Sequence, residues 1–200
     1  MSDSRLPAVG WGDIVGAGAY AIQQRGIAKV TLEDLASELD VDPAAVTYWF
    51  GSVGQVLEAV MEIRMNWFLD EARARMSAHE SQRERMREFL ELSAADHDAI
   101  NWIELWRHAA RDESAREARQ TMADAHRRTL AGIIRAGQRT GEFGAAASPD
   151  KVALILDSLI IGYSVTATLK DSEVDPNSMH DTLLDIAGQL LSVDFTSRDA

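Results

Sequence analysis

Apolar residues recur at three- and four-residue spacing along most of the chain, and no Val/Thr/Tyr-rich alternating window competes with that period. The pattern predicts about nine helices, near residues 11–25, 32–39, 43–49, 53–77, 81–97, 99–111, 113–140, 149–170 and 177–193, and hence an all-α fold. Several starts are marked chemically. Three of the four prolines follow a capping residue, in Asp42-Pro43, Ser148-Pro149 and Asp175-Pro176. Proline loses nothing at a first helical position, where its missing N–H would have no partner, and the preceding Asp or Ser oxygen accepts from the next amides. Thr31 to Asp34 fits a capping box, Asp112 fits a cap before Glu113, and Gly26, Gly51 and Gly141 fit helix ends.

The two last helices carry more apolar surface than one layer of neighbours would cover. Leu156, Leu159, Ile160 and Tyr163 on one, with Leu183, Ile186 and Leu190 on the other, predict a face that pairs with a second copy as a four-helix bundle. Ser158, Gly162 and Ala167 would let the helices approach closely. Residues 152–169 are also about long enough to cross a bilayer. Asp157 lies inside that run, with Ser158, Ser164, Thr166 and Thr168, so burial between protein surfaces is expected and no membrane span.

Near the N-terminus, Thr31-Leu-Glu-Asp-Leu-Ala-Ser-Glu-Leu-Asp-Val-Asp-Pro-Ala-Ala-Val-Thr-Tyr-Trp-Phe50 reads as two short helices joined by a tight turn. Such a helix-turn-helix serves to place its second helix in the major groove of DNA. The charge opposes that use. Asp42 to Phe50 contains no Lys or Arg, and the turn carries Asp40 and Asp42. The net charge of -12 is also unevenly spread. Residues 1–60 set Arg5, Arg25 and Lys29 against eight acids, residues 61–141 balance 14 bases with 14 acids, and residues 142–200 total -7. In the neutral middle, Glu80, Glu84 and Glu88 interleave with Arg83, Arg85 and Arg87 as a self-paired, solvated face.

Two hundred residues, 46% of them apolar, suit one medium domain or two small ones. The absence of cysteine excludes disulfides, thiolate zinc sites and a cysteine nucleophile, and fits a reducing cytosol. Met-Ser-Asp-Ser-Arg-Leu-Pro lacks the apolar core of a signal peptide, so a cytoplasmic location is expected. His79, His97, His108, His126 and His180 fall on separate elements without HExxH or Glu-x-x-His spacing. Asp96-His97-Asp98 reads as the cap of a helix break rather than a metal cluster. With no Gly-x-Ser-x-Gly elbow, P-loop or dinucleotide fingerprint, no enzyme, cofactor or metal site is expected.

Ala19-Tyr20-Ala-Ile-Gln-Gln-Arg-Gly26, Thr31-Leu-Glu-Asp-Leu-Ala36, Val41-Asp-Pro and Tyr48-Trp-Phe-Gly-Ser52, followed by a long helix around Leu57, together resemble the TetR family of transcriptional regulators. From Trp102-Ile-Glu-Leu-Trp106 to Gly141-Glu-Phe143 the chain resembles the C-terminal domain of the BetI-like branch. The resemblance implies a helix-turn-helix head at 1–52 and a ligand-binding and dimerisation domain at 53–200. It implies a homodimer, double-stranded operator DNA and a small-molecule effector as partners, with repression relieved by the effector.

Lys29, Thr31, Ala44, Ala45, Thr47, Tyr48, Trp49 and Ser52 are the candidate DNA contacts, through hydroxyls on phosphates, apolar contacts to thymine methyls and an indole contact with the DNA backbone. Phe89, Trp102, Trp106, Met122, His126 and Tyr163 are the candidate effector contacts, suited to an apolar or cationic ligand. The family usually has Gly at Asp40, Ser or Thr at Asp42, Tyr at Thr47, His at Trp49 and a phosphate-binding Lys at Val53. The departures lower the expected affinity for a polyanion, and a head that no longer binds DNA and acts through ligand sensing or a protein partner is the other expectation.

Overall fold

The computed structural model describes residues 9–95, 99–175 and 178–195. Among these the regular elements are helical: α1 (Trp11–Arg25), α2 (Leu32–Glu38), α3 (Pro43–Thr47), α4 (Val53–Ser77), α5 (Gln82–Ala94), α6 (Ala99–Ala109), α7 (Glu113–Thr140), α8 (Pro149–Thr168) and α9 (Met179–Leu191), with a 3-10 turn at Ile27–Lys29. Arg5, Asp96-His97-Asp98 and Pro176 lie outside the described residues.

Local chemistry explains most of the boundaries. The Thr31 hydroxyl accepts from Asp34 N at 3.1 Å while Thr31 N donates to the Asp34 carboxylate at 2.9 Å, the reciprocal box that opens α2. Asp42 accepts from Ala44 N at 2.8 Å and Pro43 takes the first position of α3. Gly26 closes α1 at φ 75°. Asp40, between α2 and α3, sits at φ 52°, a left-handed conformation that favours glycine and that Asp tolerates better than most. Gly51 is not in that region, and α3 ends earlier, at Tyr48. Ser148 makes no side-chain cap bond, and α9 opens after Ser178.

The chain divides into two compact units. One comprises the residues up to Arg64 with Ile100–Gln120; the other comprises Met65–Ala99 and the chain from Thr121 on. These units do not coincide with the expected division at 52/53, because the start of α4 is built into the first core. Val56, Leu57, Val60 and Met61 are buried with Ile14, Ile22, Leu35 and Val46. A Cβ on Gly18 of α1 would stand 2.2 Å from Val56 Cγ1, so bare backbone there lets α1 and α4 meet.

In the second unit α5, α8 and α9 close on one another around Met86, Phe89, Leu90, Leu130, Ile134, Leu156, Leu183 and Leu191. This corrects two of the expected interface residues. Leu156 and Leu183 are fully buried within the chain and have no surface left for a second copy. Ile160 is nearly so, whereas Leu159, Tyr163, Ile186 and Leu190 are half-buried. The open apolar positions of α8 are instead Leu154 and Ile155, 50% and 41% exposed, with Ser158 and Gly162 exposed on the following turns. By length and composition α8 would cross a bilayer, yet its buried apolar residues belong to the same core.

Candidate functional site

The helix-turn-helix leaves one side of α3 open. Ala44, Thr47, Tyr48 and Ser52 are exposed, Ala45 is half-buried, and Val46 anchors the helix from its inner side. Tyr48 is 63% exposed, with its ring edge-on to Trp49 at 5.1 Å. Lys29 and Thr31 are exposed just ahead of α2. One expected DNA donor, the Trp49 indole, is already engaged. The Trp49 indole N–H donates to the Val9 carbonyl at 3.1 Å, which ties the start of the described chain to the end of α3. The Ala44 amide donates to Asp42. Ser52 accepts from Gln55 N at 3.2 Å, and its hydroxyl proton remains to be donated. Arg25 is paired with Glu38, which leaves Lys29 as the lysine or arginine of this head without an ion pair among the described residues 9–60.

The expected effector residues are divided between the units. Trp102 and Trp106 lie on α6 in the first, half-buried and stacked at 6.4 Å. Phe89, Met122, His126 and Tyr163 lie in the second. Phe89 is fully buried and edge-on to Phe68 at 5.5 Å, and both rings flank His126 at 4.9 and 5.3 Å. The Tyr163 hydroxyl donates to Thr182 on α9 at 3.3 Å. An open groove of 350 Å³ in this unit is lined by Arg73, Met76, Gln82, Arg85, Thr129 and Ile133 among others, and by none of the six expected residues.

The unforeseen feature is the polar network behind His126. Its Nδ1 stands 2.9 Å from Asp157 Oδ1 without an N–H aimed along that line, and its Nε2 is 3.4 Å from the Ser93 hydroxyl. Arg127 donates to the other Asp157 oxygen at 3.2 Å and also pairs with Asp124. Burial works against the Arg127 charge, but the bond to Asp124 and the field of Asp157 outweigh it and raise its pKa above the ordinary arginine value. A lone Asp inside the apolar run of α8, together with a basic residue next to His126, was the available signal in the sequence.

The helical fold matches known proteins over most of the chain. The family model for the C-terminal domain of BetI-type transcriptional repressors matches residues 78–192. The chain belongs to the TetR family. The HTH-type transcriptional regulator BetI of Rhizobium meliloti (strain 1021) is 29% identical over 108 residues, which are 52% of this chain. That match spans 53%, about half, of the BetI relative's own length. A transcriptional regulator from Saccharomonospora viridis, solved in complex with choline, superposes with a TM-score of 0.81 at 23% identity, covering 90% of this chain and 96% of that one. A TetR-family regulator from Rhodococcus sp. gives 0.74 at 26% identity, covering 90% and 97%. Members of the TetR family are transcriptional regulators rather than enzymes, and the all-α fold follows from both comparisons.

Proposed function

We propose that this TetR-family chain is a homodimeric, cytoplasmic one-component regulator, in which residues 1–52 hold double-stranded operator DNA and residues 53–200 dimerise and take a small effector that releases it. The observation that carries the reading is the open side of α3. Ala44, Thr47 and Tyr48 face outward from a fully formed helix-turn-helix whose inner side is anchored by Val46. Thr31, Thr47, Tyr48 and Ser52 supply neutral donors to phosphates, and Lys29 supplies the charge. The stripe of Leu154, Ile155, Ser158 and Gly162 on α8 supports a second copy as its cover, since small residues permit close helix approach and such a contact forms a four-helix bundle. The aromatic side chains of the body favour an apolar or cationic effector, the class to which the choline of the Saccharomonospora viridis relative belongs.

The pairing of Arg25 with Glu38 favours a second reading, a head that has given up DNA and works through a protein partner. A salt titration separates the two. Binding to a fluorescent duplex from the protein's own upstream region, against a random duplex, is expected to be specific and to weaken with salt less steeply than for a basic head, because few counterions are released. Binding to neither duplex at low salt overturns the DNA-binding reading and turns the search toward a protein partner.

A further inference from the structure

The first unit holds a cluster of ionisable side chains that the reading above leaves without a role. Glu58 on α4, His108 on the last turn of α6 and Asp112 in the turn before α7 each bring one possible ligand atom to within 4.8 Å of the others. All three are half-buried. The Ser114 hydroxyl donates to Glu58 Oε2 at 3.2 Å, which holds the carboxylate in place. Its other oxygen, Oε1, lies 3.9 Å from His108 Nε2, too far for a hydrogen bond. Asp112 is held in the same manner, with Oδ1 accepting from Ala115 N at 2.9 Å. Each carboxylate is therefore fixed by one oxygen. Neither has a Lys or Arg partner among the described residues, so two negative charges face one imidazole.

The imidazole is also let into place by a glycine. Gly54 lies one turn before Glu58 on the same face of α4, and a Cβ built there would fall 2.3 Å from His108 Nε2 and 2.9 Å from Cε1. Any side chain at position 54 would push the ring away from the carboxylates. The glycine is the second residue of α4, where no positive φ calls for it.

We propose that Glu58, His108 and Asp112 bind one divalent transition-metal ion, through the imidazole nitrogen and one oxygen from each carboxylate, with water completing the shell. The imidazole favours Zn²⁺, Co²⁺ or Ni²⁺ over Mg²⁺ or Ca²⁺, which prefer oxygen alone. Bonds of about 2.0–2.2 Å in a tetrahedral shell place ligand atoms roughly 3.3–3.5 Å apart, so the three side chains close by about 1 Å on binding, a rotamer adjustment. The bound ion joins the first turns of α4 to the α6–α7 turn, within the unit that also carries α3. The ligands lie on three elements, so the sequence-based expectation of no metal site rested on local spacings that such a site does not have. The inference does not depend on whether the head binds DNA.

Tag-free, chelator-stripped full-length protein titrated with Co²⁺, followed by d–d absorption and then by Zn²⁺ displacement, tests the site. One ion per chain is expected. His108→Ala and Glu58→Gln are each expected to weaken binding at least tenfold, on the scale seen when metal-site residues are removed. Gly54→Ala keeps every ligand but displaces the ring, and a loss of similar size is expected there. His180→Ala, in the exposed His180–Asp181 pair of α9, is expected to bind as wild type. Circular dichroism shows which variants fold, and if His108→Ala does not, Glu58→Gln and Gly54→Ala decide. Wild-type protein that gives no Co²⁺ spectrum, or folded variants that bind as tightly as wild type, overturn the proposal.

Discussion

Each of the two compact units sets a histidine against carboxylates, and the two units answer the resulting charge differently. In the second, Asp157 is the buried acid of the long apolar helix α8 and stands beside His126, which two phenylalanine rings flank. Arg127 reaches it from α7 and is itself held by Asp124 one turn back. In the first, Glu58 meets a like charge. Burial raises its pKa, the Ser114 bond partly offsets this, and Asp112 raises it further. No arginine arrives. The chain's own cation closes one cluster, and the other is left to a cation from solution. Where an acid is deeply buried the fold has to supply the counter-charge, because solvent cannot.

The sharpest way to break this comparison is to remove the internal cation. Arg127→Ala leaves Asp157 buried beside an imidazole whose N–H is poorly aimed, and breaking a buried pair costs on the order of 3 kcal/mol. Urea unfolding at neutral pH measures it. Asp157→Ala in the Arg127→Ala background is expected to recover a large part of the loss, since the uncompensated charge goes with it. His108→Ala in the half-exposed cluster is expected to cost about 1 kcal/mol or less in metal-free protein. Equal costs for Arg127→Ala and His108→Ala would show that the two clusters are balanced alike.

A smaller effect is expected where the second unit meets an acid with backbone rather than with arginine. Glu142 accepts from the Ser81 hydroxyl at 2.7 Å and from Arg83 N at 3.1 Å at the start of α5, and from Thr140 at 2.8 Å. Burial pushes its pKa up, but these bonds outweigh burial and hold it below the ordinary 4.5. A depressed carboxylate pKa contributes stability that is present above the unfolded value and lost as pH falls through the folded one. Glu142→Gln is therefore expected to cost about 1 kcal/mol at neutral pH, with the gap to wild type narrowing below about pH 4. A gap that stays constant as the pH falls would show that shape and not charge holds the α5 start.

The parts of this molecule that were legible in the sequence are those decided within a few residues. Thr31 with Asp34, and Asp42 with Pro43, announce helix starts because capping bonds span two or three positions. The helix-turn-helix follows from them. Orientation was harder to read. On α8, apolar on most sides, periodicity alone did not separate Leu156, which turns inward, from Leu154 and Ile155, which stay open. The engagement of the Trp49 indole by Val9, and the meetings of His126 with Asp157 and of Glu58 with His108, join residues on different elements. Nothing in local spacing records such pairs.

The smallest expected effect returns to the turn of the head, where a local rule and the sequence disagree. Asp40 holds φ 52° between α2 and α3, the position at which the family usually carries glycine. Asp40→Gly relieves the left-handed strain on a side chain, while the added freedom of the unfolded chain offsets part of the gain. The net stabilisation is expected to be about 0.5 kcal/mol and under 1. The same change removes a negative charge from the turn leading into α3. If the head binds DNA, affinity is expected to rise modestly at low salt and to converge with wild type at high salt, because a charge removed near phosphates is screened within about 10 Å at 0.1 M. Stabilisation without any change in DNA affinity would place Asp40 away from the duplex and leave its carboxylate without a part in the acidity of the head toward DNA.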